Sequence, residues 1–219
     1  MIADLRGRTV FIVAAPPPLA EAFDEAFSRH GAKAMRISVD GLDAALEPLR
    51  CAGHHLDALV VGSSAGTAPP LTALEDYGVD RLNRSIADGA WPVFAVLQRA
   101  RAALGRFPRH VVALAADHSG PGDDFAAASD AALETLCRHA SGRMAGDDAR
   151  MNVLRYRLAS DANQGRGIFA APREVANAAV ALCSGLLDAM RGEVLTVDRG
   201  ASFCDNVFRD FEANESRGK

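Results

Sequence analysis

Lysine is almost missing from this sequence: Lys33 and Lys219 are the only ones. Arginine carries nearly all the positive charge, and the formal net charge is −4, so there is no basic excess to neutralise a phosphate backbone. A nucleic-acid partner is not expected. Aromatic residues make up only 6 %, and Tyr77 and Tyr156 are the only tyrosines, so phenolic acid–base groups are scarce. Cys51, Cys137, Cys183 and Cys204 are scattered and form no C-x-x-C pair, which argues against a zinc site or a disulfide framework and for reduced thiols in the cytoplasm. No apolar run approaches membrane-spanning length, and the opening stretch MIADLRGRTVFIVAAPPP has one short apolar strand in place of a signal peptide's longer core. The expectation is a cytoplasmic protein that meets no membrane. His54 and His55 stand side by side before a strand and read as a solvated loop, so no metal is expected.

Apolar residues are plentiful, at 49 % of 219 residues, enough for one full-sized core. Short β-branched runs alternate with amphipathic runs of helix length, the pattern of parallel βαβ units. Strands are expected at 9–13, 34–39, 58–61, 111–114, 150–154 and 193–197. The first helix carries Leu19, Ala22, Phe23, Ala26 and Phe27 on one stripe and ends at Gly31. Later helices are expected at 42–52, 80–104, 124–141 and 173–190, the last with Pro172 near its start and Glu174 in its first turn. The reading is an α/β domain of parallel βαβ units over residues 1–205, followed by a polar tail at 206–219.

Residues 11–23, FIVAAPPPLAEAF, occupy the strand–turn–helix position where a nucleotide-binding loop belongs. The turn holds prolines where glycines would be expected. Pro16, Pro17 and Pro18 have no backbone N–H to donate to a phosphate, and their rings hold φ near about −65°. Glu21, expected in the helix's first turn, adds negative charge where a phosphate would sit.

In order along the chain, GRTVFIVAAPPPLAEAFDEAFSRHGAKAM, LDALVVGSSAG, PVFAVLQRARAAL, RHVVALAADHSG, FAAASDAALETLCRHAS, DARMNVL and EVANAAVALCSGLLDAMRGEVLTVDRG resemble the successive strands and helices of the short-chain dehydrogenase/reductase family. The resemblance covers nearly the whole chain and implies a single α/β domain with a Rossmann-like doubly wound parallel sheet of about six strands and helices on both faces. It also implies where the family's working residues should be. Its Gly-x-x-x-Gly-x-Gly loop falls on Ala14, Pro18 and Ala20. Its catalytic Asn falls on Gly89, its Ser on Ala116, its Tyr on Ala126 and its Lys on Asp130. Alanine transfers no proton, and an aspartate reverses the charge that should lower a tyrosine's pKa. Small shifts of alignment bring Phe125, Ser119 or Ser129 into these places and still supply no base. The stretch between Gly31 and Asp57 is about one strand–helix unit short of the family's adenosine-binding region. Asp40 lies past the usual position of the ribose-binding acid, held here by Ser38, and reads as a loop residue. The family's Pro-Gly after its sixth strand is Tyr156–Arg157, and the substrate lid that follows, up to Glu174, is short.

The resemblance therefore implies a degenerate member with no catalytic residue and no bound cofactor. Its expected role is a non-catalytic subunit of a heteromeric, tetrameric oxidoreductase, paired with a catalytically complete member of the same family that holds NAD(P) and acts on an acyl-CoA hydroxy or keto substrate. In that family the helices matched by 80–104 and 124–141, and the C-terminal strand, form the subunit interfaces. Ala126, Ala127, Ala128, Ala131, Ala132 and Ala140 leave helix 124–141 small on several faces, which permits close packing on more than one side. Two alternatives stay open. One is a stand-alone sensor of a small ligand such as an acyl thioester, with Arg143, Arg150, Arg155 and Arg157 as anion contacts. The other is relocated chemistry at Asp117, His118, Asp123 and Asp124.

Overall fold

The computed structural model describes residues 3–62, 78–116, 124–158 and 170–200. Their sheet has six parallel strands: β1 (Thr9–Val13), β2 (Lys33–Ile37), β3 (Ala58–Gly62), β4 (His110–Ala116), β5 (Arg150–Tyr156) and β6 (Val194–Val197). They stand in the order β2-β1-β3-β4-β5-β6. The helices are α1 (Pro17–Arg29), α2 (Leu42–Cys51), α3 (Val79–Asp88), α4 (Ala90–Leu104), α5 (Asp124–Met144) and α6 (Pro172–Cys183). Each strand alternates between two cores. Val10, Ile12, Val60, Val112, Leu114 and Leu154 face α1 and α6, whereas Phe11, Val13, Leu59, Val111, Ala113 and Val153 face α2, α4 and α5. The doubly wound architecture follows, because strands buried on both faces need a helical layer on each.

The α1 stripe packs as its spacing predicts, with Leu19, Phe23, Ala26 and Phe27 buried and Ala22 half-buried. Gly31, at φ +86, turns the chain into β2. Three helix boundaries differ from expectation. The single helix expected over 80–104 is two, broken at Gly89, where the α5 side chain Ser129 presses in and its Oγ accepts the Ala90 N–H at 3.1 Å. The helix expected over 173–190 stops at Cys183, because Ser184 Oγ donates to the Ala181 carbonyl (2.9 Å) and Gly185 takes φ +95. Helix α5 runs on past Ser141, whose buried hydroxyl accepts the Met151 N–H at 3.3 Å and ties the helix to β5.

A buried polar group pins the turn after α6 to the amino-terminal end of the sheet. His110 opens β4 with its side chain buried, and its Nε2 lies 2.9 Å from Asp188 Oδ1. Arg109 and Arg150 approach the same carboxylate at 3.4 and 3.5 Å. Among the described residues His110 Nδ1 has no hydrogen-bond partner. Burial lowers the His110 pKa below its ordinary 6.5 despite the pull of Asp188. The unfolded chain therefore takes up a proton that the folded chain refuses, and stability must fall as pH drops below about 6.5. Thermal unfolding from pH 7.5 to 5 should show a steeper loss for the native chain than for His110→Gln; parallel curves would contradict this account.

Candidate functional site

In a doubly wound sheet, ligands bind outside the carboxyl ends of the strands. Here that edge is formed by the β1–α1 turn, Gly62 at the end of β3, Ala116 at the end of β4 and Tyr156 at the end of β5. After β1, Ala14 takes φ +53, a left-handed conformation rare for a residue with a side chain. Pro16 caps α1 with φ −53, and Pro17 and Pro18 are the helix's first two residues. The next two N–H groups, of Leu19 and Ala20, both donate to the Pro16 carbonyl, at 2.9 and 2.8 Å. All four first-turn positions are thus either proline or already bonded. The helix start offers an anion no free donor.

Gly62 closes the same turn from beneath. A Cβ built on it would stand 2.1 Å from the Ala14 carbonyl oxygen and 3.0 Å from Ala15 Cα. The turn rests on the end of β3. Glu21 falls beyond the first turn, which carries no acidic residue, so the expected electrostatic repulsion there is replaced by the missing donors and this close packing. These residues do not fit a dinucleotide.

The positions matched to the family's catalytic residues lie close together, but they are filled as core. Gly89 sits where α3 breaks into α4, and a Cβ there would stand 2.3 Å from Ser129 Oγ and 2.8 Å from the Ser85 carbonyl. Ser85 Oγ in turn donates to the Phe125 carbonyl at 2.8 Å. Helices α3 and α5 are so close that a side chain at Gly89 has no room. Ser129, a candidate stand-in for the missing serine, is buried and engaged in this junction. Ala126 and Asp130 are buried on α5, and Ala116 pairs with Tyr156 across β4 and β5.

Tyr156 is a residue whose proximity to this group was not evident from its position in sequence. Burial, reinforced by the negative charge of Asp130, pushes its phenol up to about 12. A catalytic tyrosine requires the reverse shift, which a neighbouring cation supplies. Phe125 has the Arg81 guanidinium over its ring, 5.5 Å from the centroid.

The arginines named as anion contacts are not brought together. Arg150 lies at the amino-terminal end of β5, and its Nε donates to the Asp188 carbonyl at 2.7 Å. Arg155, near the other end of the strand, is ion-paired with Glu134 of α5. Arg143 is exposed in the last turn of α5, and the Arg157 backbone pairs with Val197 (3.4 Å) and Ala170 (2.9 Å). The length of β5 sets Arg150 apart from Arg155 and Arg157. Asp40, His54 and His55 are exposed as expected, and Ser38 Oγ accepts the Gly41 N–H at 3.1 Å. Among the described residues no three His, Cys, Asp or Glu side chains form a group that could hold a metal. Tyr77, Asp117, His118, Ser119, Asp123, the side chain of Asp124, Cys204 and the tail at 206–219 lie outside the described residues.

Two solved structures resemble this one over most of its length. One is the enoyl-[acyl-carrier-protein] reductase (NADH) of Aquifex aeolicus VF5, with a TM-score of 0.75, 18 % identity, and coverage of 91 % of this chain and 98 % of that one. The other is a short chain dehydrogenase of Mycobacterium smegmatis, with a TM-score of 0.70, 18 % identity, and coverage of 90 % and 94 %. The chain has the short-chain dehydrogenase fold. No family model and no curated protein sequence matches it. At that identity the likeness is one of backbone, so what the site can do has to be read from its own residues. Among the described residues no helix is long and apolar enough to cross a membrane.

The contact between Gly62 and the Ala14–Ala15 backbone predicts its own test. Gly62→Ala should destabilise the chain by roughly 1–3 kcal/mol, since backbone and not a mobile side chain must yield. An unchanged urea midpoint would refute the packing described for this turn.

Proposed function

We propose that this chain is a non-catalytic subunit of a heteromeric, tetrameric oxidoreductase. Its partner is a catalytically complete short-chain dehydrogenase that holds NAD(P). The observation carrying this reading is the first turn of α1, where each donor a pyrophosphate would use is a proline or already bonded. Alanine at 116 and 126, glycine at 89 and aspartate at 130 support it, since together they offer no acid–base pair.

The surface suggests where a partner packs. Among the described residues, three of the five exposed large hydrophobic residues lie on the α3–α5 layer: Val79 at 69 %, Trp91 at 53 % and Leu136 at 43 % exposure. Ala127 and Ala131 are exposed on the same layer, leaving room for another helix to come close. Tryptophan is the residue type most often found as an interface anchor, so Trp91 is assigned that part. The subunit would stabilise the partner or shape its substrate entrance. An acyl-CoA hydroxy or keto substrate fits the overall likeness to the inactive partner in the 2-(hydroxybenzyl)succinyl-CoA dehydrogenase of toluene breakdown. A cytoplasmic location goes with this reading.

Co-expression with a catalytically complete short-chain dehydrogenase from the same genome should yield a complex of both chains, and Trp91→Glu should abolish capture while leaving this chain folded. Fluorescence titration of the isolated chain with NADH and NADPH should show no saturable binding. Tight binding of either nucleotide would overturn the reading, as would a partner that never co-purifies.

A further inference from the structure

Strand β2 ends the sheet, and among the described residues nothing pairs with its outer edge. The Lys33 N–H donates to the Arg8 carbonyl at 2.8 Å, so Lys33, Met35 and Ile37 direct their backbone groups toward β1. The alternation of a parallel ladder then turns the N–H and C=O of Ala34 and Arg36 outward. Between those two residues stands Met35, 36 % exposed, on the face of the sheet it shares with Phe11 of β1. Further along the same face Ile37 packs against the core that Leu42 and Leu46 of α2 help to form, whereas Met35 stays exposed at the sheet's margin. Arg36 points to the other face, where Asp24 of α1 lies 3.7 Å away.

We propose that two copies of this chain join edge to edge through β2, antiparallel about a two-fold axis at Met35, so that their sheets become continuous. In this register Ala34 of each copy lies opposite Arg36 of the other as a hydrogen-bonded pair, and all outward N–H and C=O groups of both residues find partners. The two Met35 side chains meet as the central non-hydrogen-bonded pair, where side chains approach most closely and the exposed thioether arms cover each other. Lys33 falls opposite Ile37 of the second copy, so no like charges face one another. A register centred on Arg36 would set two guanidinium groups directly opposite, and one centred on Ala34 would run Arg36 off the facing strand onto Ala32. Charged edge residues discourage pairing with unrelated edges. Here Lys33 and Arg36 also select the register. The surface is separate from the α3–α5 layer, so the inference stands or falls independently of the proposed function, and a second copy and a different partner can bind together.

Sedimentation of the full chain across a concentration series should reveal a dimer. Met35→Lys, which sets two ammonium groups at the axis, should weaken association about tenfold or more, whereas Trp91→Glu should leave it unchanged. In a Cys51→Ser background, Met35→Cys should form an intermolecular disulfide on mild oxidation. A non-hydrogen-bonded antiparallel pair brings Cα atoms to about 4.5 Å, within disulfide reach. Leu186→Cys, exposed elsewhere, gives the level of random cross-linking. A monomer at every concentration, as an edge covered within one chain would give, overturns the proposal. So does a dimer insensitive to Met35→Lys, a dimer broken by Trp91→Glu, or cross-linking at Met35→Cys no greater than at Leu186→Cys.

Discussion

A parallel sheet buried on both faces leaves chemistry little choice of place. The strands are filled with Val, Leu, Ile and Ala because α1 and α6 cover one side and α2, α4 and α5 the other. Polar groups can then gather only where the strands end. At the carboxyl edge, the β1–α1 turn decides whether a phosphate can be held, since a helix binds an anion only through N–H groups left over from its own ladder. In this chain none is left over within the first turn, and Gly62 lets the turn settle onto the end of β3.

The same packing logic runs through the positions where acid–base groups would be sought. Gly89 permits α3 and α5 to meet at a distance that excludes any side chain there, and Ser129 and Ser85 use their hydroxyls to hold that junction. Burial, reinforced by Asp130, makes the tyrosine at the end of β5 a weaker acid, not a more reactive one. At Gly89, Ser129 and Ser85, space and hydroxyl groups are used to hold the helices together. Among the described residues, two surfaces face outward: the apolar side chains of α3–α5 and the edge of β2. The two differ in kind. One is a helical surface recognised by shape and apolar contact, the other a row of backbone groups recognised by hydrogen bonding.

Much of this was legible beforehand because it depends on local rules. The strand count, the buried stripe of α1 and the missing donors of three prolines follow from periodicity and from proline's chemistry. Helix ends were less legible. The break at Gly89 and the stop at Cys183 depend on Ser129 and Ser184 finding particular backbone partners, which periodicity does not encode. The separation of the candidate arginines has a similar cause. Arg150 and Arg155 are close in sequence, yet a strand rises by about 3.3 Å per residue and carries them apart toward different carboxylates.

The amino-acid sequence by itself determined the α/β class, the doubly wound sheet and the loss of phosphate donors, all properties of residue type and short-range order. Only the tertiary structure decided that the loop lies against Gly62, that Gly89 has no room for a side chain, that Tyr156 comes under the influence of Asp130, and that β2 stands at the margin of the sheet. Those facts depend on which segments meet across the sheet. Contacts between distant segments are set by packing the whole core at once, and no local pattern carries that information.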